Sequence, residues 1–190
     1  ANVVNIFHQE VRIELGKSTP VAGELSFLAL KQAVDDLKSK SIDVVVTAPI
    51  NKKNIQSPDF EFPGHTEYFA REFEAQDHLM LMVSQAMRVG VVTGHIPLKD
   101  VSDTLSKELI MKKIKVLNTS LKMDFAITKP KIAILGVNPH AGDQGLLGKE
   151  EQEIIIPAIQ QAKDEGMLAF GPYPADGFFA TDQFRQFDAI

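Results

Sequence analysis

The stretch KPKIAILGVNPHAGDQGLLGKEEQEIIIPAIQQAKDEGMLAFGPYP, residues 129–174, decides the fold. A branched-aliphatic run, PKIAILGVNP, reads as a strand that ends at Gly136. KEEQEIIIPAIQQAKDEG then reads as a helix with an expected kink at Pro157, because proline lacks the amide its turn requires. MLAFGPYPADGFFA follows as a short strand and turn. Strand, loop, helix and strand in this order argue for an α/β layered fold with a largely parallel sheet.

The pattern extends toward the N-terminus. ELSFLALKQAVDDLKSK (24–40) spaces Leu25, Leu28, Ala29, Ala33 and Leu37 as a helix, and SIDVVVTAPI after it reads as a strand and turn. GHTEYFAREFEA (64–75) reads as a helix opened by Gly64. HLMLMVSQ (78–85) is expected to be a buried strand, and MRVGVVTGHIPL (87–98) a second strand running into a loop. VSDTLSKELIMKKIKVLNTSLKMDF (101–125) reads as one long amphipathic helix capped by Ser102 or Asp103. The closing residues, FDAI, look like the opening of a buried strand, which suggests a piece of a longer chain.

Composition narrows the chemistry. The 190 residues, 44% hydrophobic, can bury a core as one domain or two small ones. A net charge of -5 and the absence of a basic patch argue against nucleic acid and anionic membranes as partners. With no cysteine, any metal must be held by His, Asp, Glu or water. No apolar run reaches the roughly 20 residues of a membrane span, and ANVVNIFHQE lacks the features of a secretory leader, so a cytoplasmic location is the default expectation.

Polar, glycine-rich loops collect at the ends of the expected strands: TAPINK, PGHTEY, TGHIPL and NPHAGDQG. In open α/β sheets ligands bind beyond the carboxyl ends of the strands, which makes these loops site candidates. Three of them carry a histidine. His65 opens a helix, where an imidazole can also serve as a cap, and His95 can equally bond to backbone. His140 lies among glycines that suit a close approach to the backbone. His8 and His78 are read as structural. Neither a GxGxxG fingerprint nor a P-loop nor a GxSxG elbow is present. Asn51, Lys52 and Lys53 could meet an anion, and Asp176, in GPYPADG, is a carboxylate in a turn.

Taken together, VVTAPINK, FPGHTEYFA, TGHIPL, GVNPHAGDQGLLGKEE and GPYPADGFF resemble the 4-hydroxythreonine-4-phosphate dehydrogenase family of vitamin B6 biosynthesis, in order and spacing along nearly the whole chain. The resemblance implies a three-layer α/β/α fold like that of isocitrate and isopropylmalate dehydrogenases, with residues 1–190 as the central part of a two-lobed, dimeric enzyme that binds NAD(P) without GxGxxG. It implies His95 and His140 as ligands of a divalent metal (Zn, Mg or Co), His65 and Thr66 as substrate contacts, and Asp176 as an acid-base or supporting group. The expected reaction is oxidation and decarboxylation of 4-phosphooxy-L-threonine to 3-amino-2-oxopropyl phosphate. The family's third metal histidine belongs to an HDQG block outside residues 1–190 and comes from the partner subunit of the homodimer. Gly177 stands where the family commonly has Thr after PAD, which loosens the role of Asp176. Alternatives are a paralogue acting on a phosphorylated threonate or an aromatic dihydrodiol, or a scaffold piece that is silent alone.

Overall fold

A computed structural model describes residues 3–190 apart from Gln9 and Ile13. The chain divides into two compact units, residues 1–76 and 77–190.

In the first unit, α1 (Pro20–Lys38) starts where Thr19 caps the amide of Ala22 and Pro20 occupies the first turn, a position that needs no amide donor. Its buried Leu30 and Val34 pack with Ile55, Phe60 and Tyr68, and the last of these lies on α2 (His65–Glu72). Rings of Phe27, Phe60, Phe62 and Tyr68 meet edge-on or tilted at centroid distances of 5.2–6.1 Å, the arrangement that aromatic quadrupoles favour.

The expected strand within residues 41–50 does not form. Val44 and Val46 are 74% and 93% exposed, and the segment is irregular. Branched residues favour a strand only where a neighbouring strand takes up the backbone groups. Among the described residues none pairs with this segment.

The second unit holds the sheet. β1 (Leu81–Val83) pairs antiparallel with β2 (Arg88–Gly90) through a turn in which Ser84 Oγ accepts from the amides of Ala86 and Met87. β1 is shorter than expected, and Met82 and Val83 are exposed rather than buried. The segment 101–125 is broken. α3 (Val101–Thr104) stops at Leu105, whose ψ of 131° is extended, and α4 (Lys107–Met123) restarts after Ser106, whose hydroxyl caps the amide of Leu109. Ser106 is therefore the cap of the long helix, in place of Ser102 or Asp103.

β3 (Lys131–Leu135) and β4 (Leu168–Tyr173) are parallel, as the alternation of elements predicts, with Ile132 opposite Ala169 and Ala133 opposite Phe170. Between them the chain makes a wide π-type turn over 151–155 and continues as α5 (Ile156–Asp164). Pro157 lies in the first turn of α5, so the irregularity precedes the proline. α6 (Ala175–Phe178) follows β4 directly, and a 3-10 turn over Asp182–Gln186 leads from it to the last residues. The core joins Ile110, Ile114, Leu117 and Leu121 of α4 to Ile132 of β3 and to Ala158, Ile159 and Ala162 of α5.

Residues 188–190 complete the sheet. The amide of Ala133 donates to Ala189 O, that of Ile190 to Arg88 O, and that of Gly90 to Ile190 O, at 2.8–2.9 Å. Ala189 is in a parallel bridge with Ile132. The bonds from Ile190 bracket Val89 in the same parallel manner. The expectation that FDAI opens a buried strand holds: Ala189 and Ile190 are buried.

Candidate functional site

Because β2, residues 188–190, β3 and β4 run in one direction, the loops after β2, β3 and β4 leave from one edge of the sheet. His95 follows β2, His140 follows β3 and Asp176 follows β4, and the carboxyl edge is where such sheets collect ligands. A cleft of about 260 Å³ lies along this edge, lined by Val91, Val92 and Thr93 after β2, by Leu135 at the end of β3 with Gly136 and Val137 after it, and by parts of α3 and α4.

Two of the expected site residues meet. His140 Nδ1 lies 2.6 Å from Asp176 Oδ2. Both side chains are largely open to water, so the pair contributes little stability; it sets the ring's orientation. With Nδ1 engaged, Nε2 remains to bind a cation, the arrangement in which a carboxylate backs a metal-binding imidazole. His95 lies in the exposed loop after β2. No group of three or more His, Asp or Glu side chains suited to a metal occurs among the described residues.

The loop bearing His140 is strained. Its φ/ψ values from His140 to Gln144 all lie in the left-handed region, with φ between 42° and 79°. Four of these five residues are not glycine, and each costs roughly 1–2 kcal/mol there. The strain persists because the loop closes around Glu151. This carboxylate is 2% exposed. Its Oε1 accepts from the amides of Val137 and Asn138, both at 2.8 Å, and its Oε2 accepts from Asn138 Nδ2 at 3.0 Å. Asn138 Nδ2 also donates to Glu150 Oε2 at 2.7 Å, and Ser102 Oγ donates to Glu150 Oε1 at 2.5 Å.

The acidic start of this helix is visible in the sequence, but nothing there assigns Glu150, Glu151 or Asn138 a role, and Ser102, expected as a helix cap, binds Glu150 instead. The available signal was an Asn-Pro pair and a Glu-Glu pair on either side of a glycine-rich loop, polar groups that a buried loop would need.

These bonds tune both carboxylates. Ser102 above all, then backbone amides and Asn138, hold the Glu150 carboxyl down at about 2 from its ordinary 4.5. Burial alone would push Glu151 up, yet hydrogen bonds from Asn138 and Val137 outweigh it and hold the group below its usual value. A depressed folded-state pKa gives stability that is complete above about 4.5 and is lost as pH falls toward about 2. The urea midpoint should therefore fall steeply between about pH 5 and pH 2.5, and Glu150→Gln should flatten that slope; a midpoint flat across this range would contradict it.

In the first unit, His65 lines a cleft of about 240 Å³ between α1 and residues 45–50, together with Ser26, Leu30 and Ala33. Its ring stacks on Phe69 at 6.3 Å. Its Nε2 is buried without a hydrogen-bond partner, a state native proteins rarely leave unexplained. Thr66 is half-buried beside it in the first turn of α2. The Lys52 side chain runs past Gly64 at the start of the same helix.

Comparison with known proteins agrees with the motifs. The family model "Pyridoxal phosphate biosynthetic protein PdxA" matches residues 1–190. A 4-hydroxythreonine-4-phosphate dehydrogenase of Bacteroides thetaiotaomicron is 46% identical over all of this chain and 52% of its own length. The crystal structure of a 4-hydroxythreonine-4-phosphate dehydrogenase from Klebsiella pneumoniae is similar at a TM-score of 0.84 and 32% identity, over 93% of this chain and 53% of that one. A terephthalate 1,2-cis-dihydrodiol dehydrogenase from Burkholderia xenovorans, 22% identical at a TM-score of 0.65 over 96% of this chain and 59% of that one, shares the fold. The chain spans about half the length of the curated relatives it matches. With the model matched from end to end, the chain belongs to the PdxA family of pyridoxal phosphate biosynthetic proteins.

Proposed function

We propose that this chain forms the central part of an NAD(P)- and divalent-metal-dependent dehydrogenase that oxidises and decarboxylates 4-phosphooxy-L-threonine to 3-amino-2-oxopropyl phosphate. Support comes from the family membership and from the names of its relatives. The observation that carries the chemistry is His140 held by Asp176 at the carboxyl edge of parallel strands. The larger architecture would be the three-layer, two-lobed arrangement of the isocitrate dehydrogenases, in a cytoplasmic homodimer.

The donors fit a metal in kind. His140 offers Nε2 while Asp176 fixes its other nitrogen, and His95 stands on the neighbouring loop of the same edge. Zinc takes three or four protein ligands, so the set is completed outside the described residues, consistent with a partner subunit's contribution. A divalent ion held there by His140 and His95 would supply Lewis acidity at the substrate hydroxyl, and a bound nicotinamide would supply the hydride acceptor.

The chain's own residues bind and orient. His65 Nε2, buried and unpaired, and the Thr66 hydroxyl are suited to hydrogen-bond a polar substrate, and Lys52 beside the start of α2 suits its phosphate. In the reaction the carbon bearing the hydroxyl loses a hydride and the hydroxyl loses a proton. The carboxylate on the carbon alpha to the new ketone then leaves as carbon dioxide, its bonding electrons pass into the enolate of that ketone, and a proton is added to the alpha carbon to give the product. Asp176, beside His140 Nδ1, is suited to orient the ring and support it as a ligand.

The test is NADH formation from 4-phosphooxy-L-threonine by the full-length protein, with and without excess chelator. Turnover that vanishes with chelator and returns with Zn²⁺, Co²⁺ or Mg²⁺ is the expected result. Full-rate turnover in chelator overturns the metal assignment, and silence from the folded, metal-loaded protein overturns the substrate.

A further inference from the structure

We infer that Glu151 is a positioning residue for His140, acting through the backbone of the left-handed loop. This rests on the reading of His140 as a metal ligand. The imidazole is fixed at two points. Asp176 holds the ring at Nδ1, but a ring bond sets only a side-chain rotation and leaves the backbone from which the ring projects undetermined. Glu151 supplies that determination. It engages Val137 and Asn138 immediately before the loop, and the loop's return passes against the same carboxylate. A Cβ on Gly142 would lie 2.5 Å from Glu151 Oε2, and one on Gly136 would lie 3.0 Å from Oε1.

The loop is thus wrapped on one buried carboxylate, at glycines where no side chain intervenes. Five successive left-handed residues do not hold this shape unaided. Asn138 adds a second restraint, because its amide spans Glu150 and Glu151. The two acidic residues differ in function: Glu151 fixes the loop, whereas Glu150 ties Asn138 to Ser102 on α3.

The test uses Glu151→Gln and Asn138→Ala in the full-length protein, with two readouts. Gln keeps the size but presents an NH₂ group where Asn138 Nδ2 needs an acceptor. Asn138→Ala removes one anchor and spares the carboxylate, so it remains informative if the first variant fails to fold. The first readout is the His140 ring resonances of metal-free protein, with His78, in the same unit, as internal reference. The second is Co²⁺ affinity.

The expected result is a displaced or broadened His140 signal with His78 unmoved, and Co²⁺ affinity lower on the order of tenfold, as when other supports of metal-binding histidines are removed. Variants that are folded, with His140 resonances and Co²⁺ affinity unchanged and only the melting temperature lowered, would show Glu151 to be merely structural. His140→Ala separates the two ideas. If it leaves Co²⁺ binding intact, the ligand reading fails, and the ring resonances still decide whether Glu151 positions the loop.

Discussion

If His140 holds a divalent metal in the proposed dehydrogenase, His140→Ala in the full-length protein is expected to lower the rate of NADH formation on the order of 10³-fold, because a misplaced or absent ion would forfeit several kcal/mol of charge stabilisation at the reacting oxygen. The loss is expected mainly in kcat at saturating metal, and Asp176→Asn should show a smaller defect, roughly 10–100-fold in metal affinity. The fold should survive, since the His140 side chain is 69% exposed and contributes nothing to the core. One complication is the backbone. His140 has φ of 54°, and alanine tolerates the left-handed region less well than Asn, Asp or His. His140→Asn serves as the companion variant, since it keeps that tolerance while removing the imidazole. Equal losses in the two variants, with unfolding midpoints near that of the parent, would identify the ring as the cause. Retention of more than about a tenth of the activity by either variant would remove His140 from the mechanism.

Gly23→Ala lowers stability by about 3 kcal/mol, the upper end of what overpacking ordinarily costs. Gly23 lies in the first turns of α1, and a Cβ there would sit 1.9 Å from the carbonyl oxygen of Asn54 and 2.4 Å from its carbon. Neither atom belongs to a flexible side chain, so helix and loop must part. The loop cannot yield freely. Asn54 Nδ2 donates to Thr19 O, and Asn51 Oδ1 accepts from the amides of Lys53 and Asn54. Helix propensity favours alanine by about 1 kcal/mol over glycine, so the clash must exceed this gain for the prediction to hold. Urea unfolding reads it as a shift in midpoint at constant slope, and a stabilised variant would show that the loop gives way. Because residues 45–50 line the His65 cleft and lead directly into this loop, a rise in substrate KM is expected alongside.

Much of the second unit was legible from side-chain periodicity. The parallel pair β3 and β4 follows from two aliphatic runs that flank a helical one, and a pattern of that kind depends only on which face is buried. What escaped the reading depends on long-range closure. Apolar spacing continues across Leu105, so nothing in the pattern of residues 101–125 announces that the chain turns extended there and restarts at Ser106. The valines at 44–46 carry strand propensity, but pairing is a property of neighbours, and here none is present among the described residues. His140 could be singled out by its glycine-rich surroundings, whereas the left-handed path of its loop and the buried carboxylate beneath it could not. Burial of Glu151 is decided by where Val137 and Asn138 come to rest, which no local rule encodes. Family resemblance pointed to Asp176 as an acid-base or supporting group without naming a partner, and its 2.6 Å approach to His140 was not legible in the sequence.

The placement of residues 188–190 between β2 and β3 bears on the order of events during synthesis. Arg88 Nη1 donates to Asp188 O across a separation of 100 residues, and the ladder bonds beside it are as distant in sequence. Contacts of such separation form late, because the intervening chain must close on itself first. The hairpin of β1 and β2 can form as soon as it leaves the ribosome, and β3, α5 and β4 can form as a second local piece. The two cannot be welded into one sheet until Ile190 has emerged. Until then the facing edges of β2 and β3, with the core that lies between them, stay open to other chains, so the nascent protein has most need of chaperone cover in the interval that a stop codon just before Asp188 would make permanent.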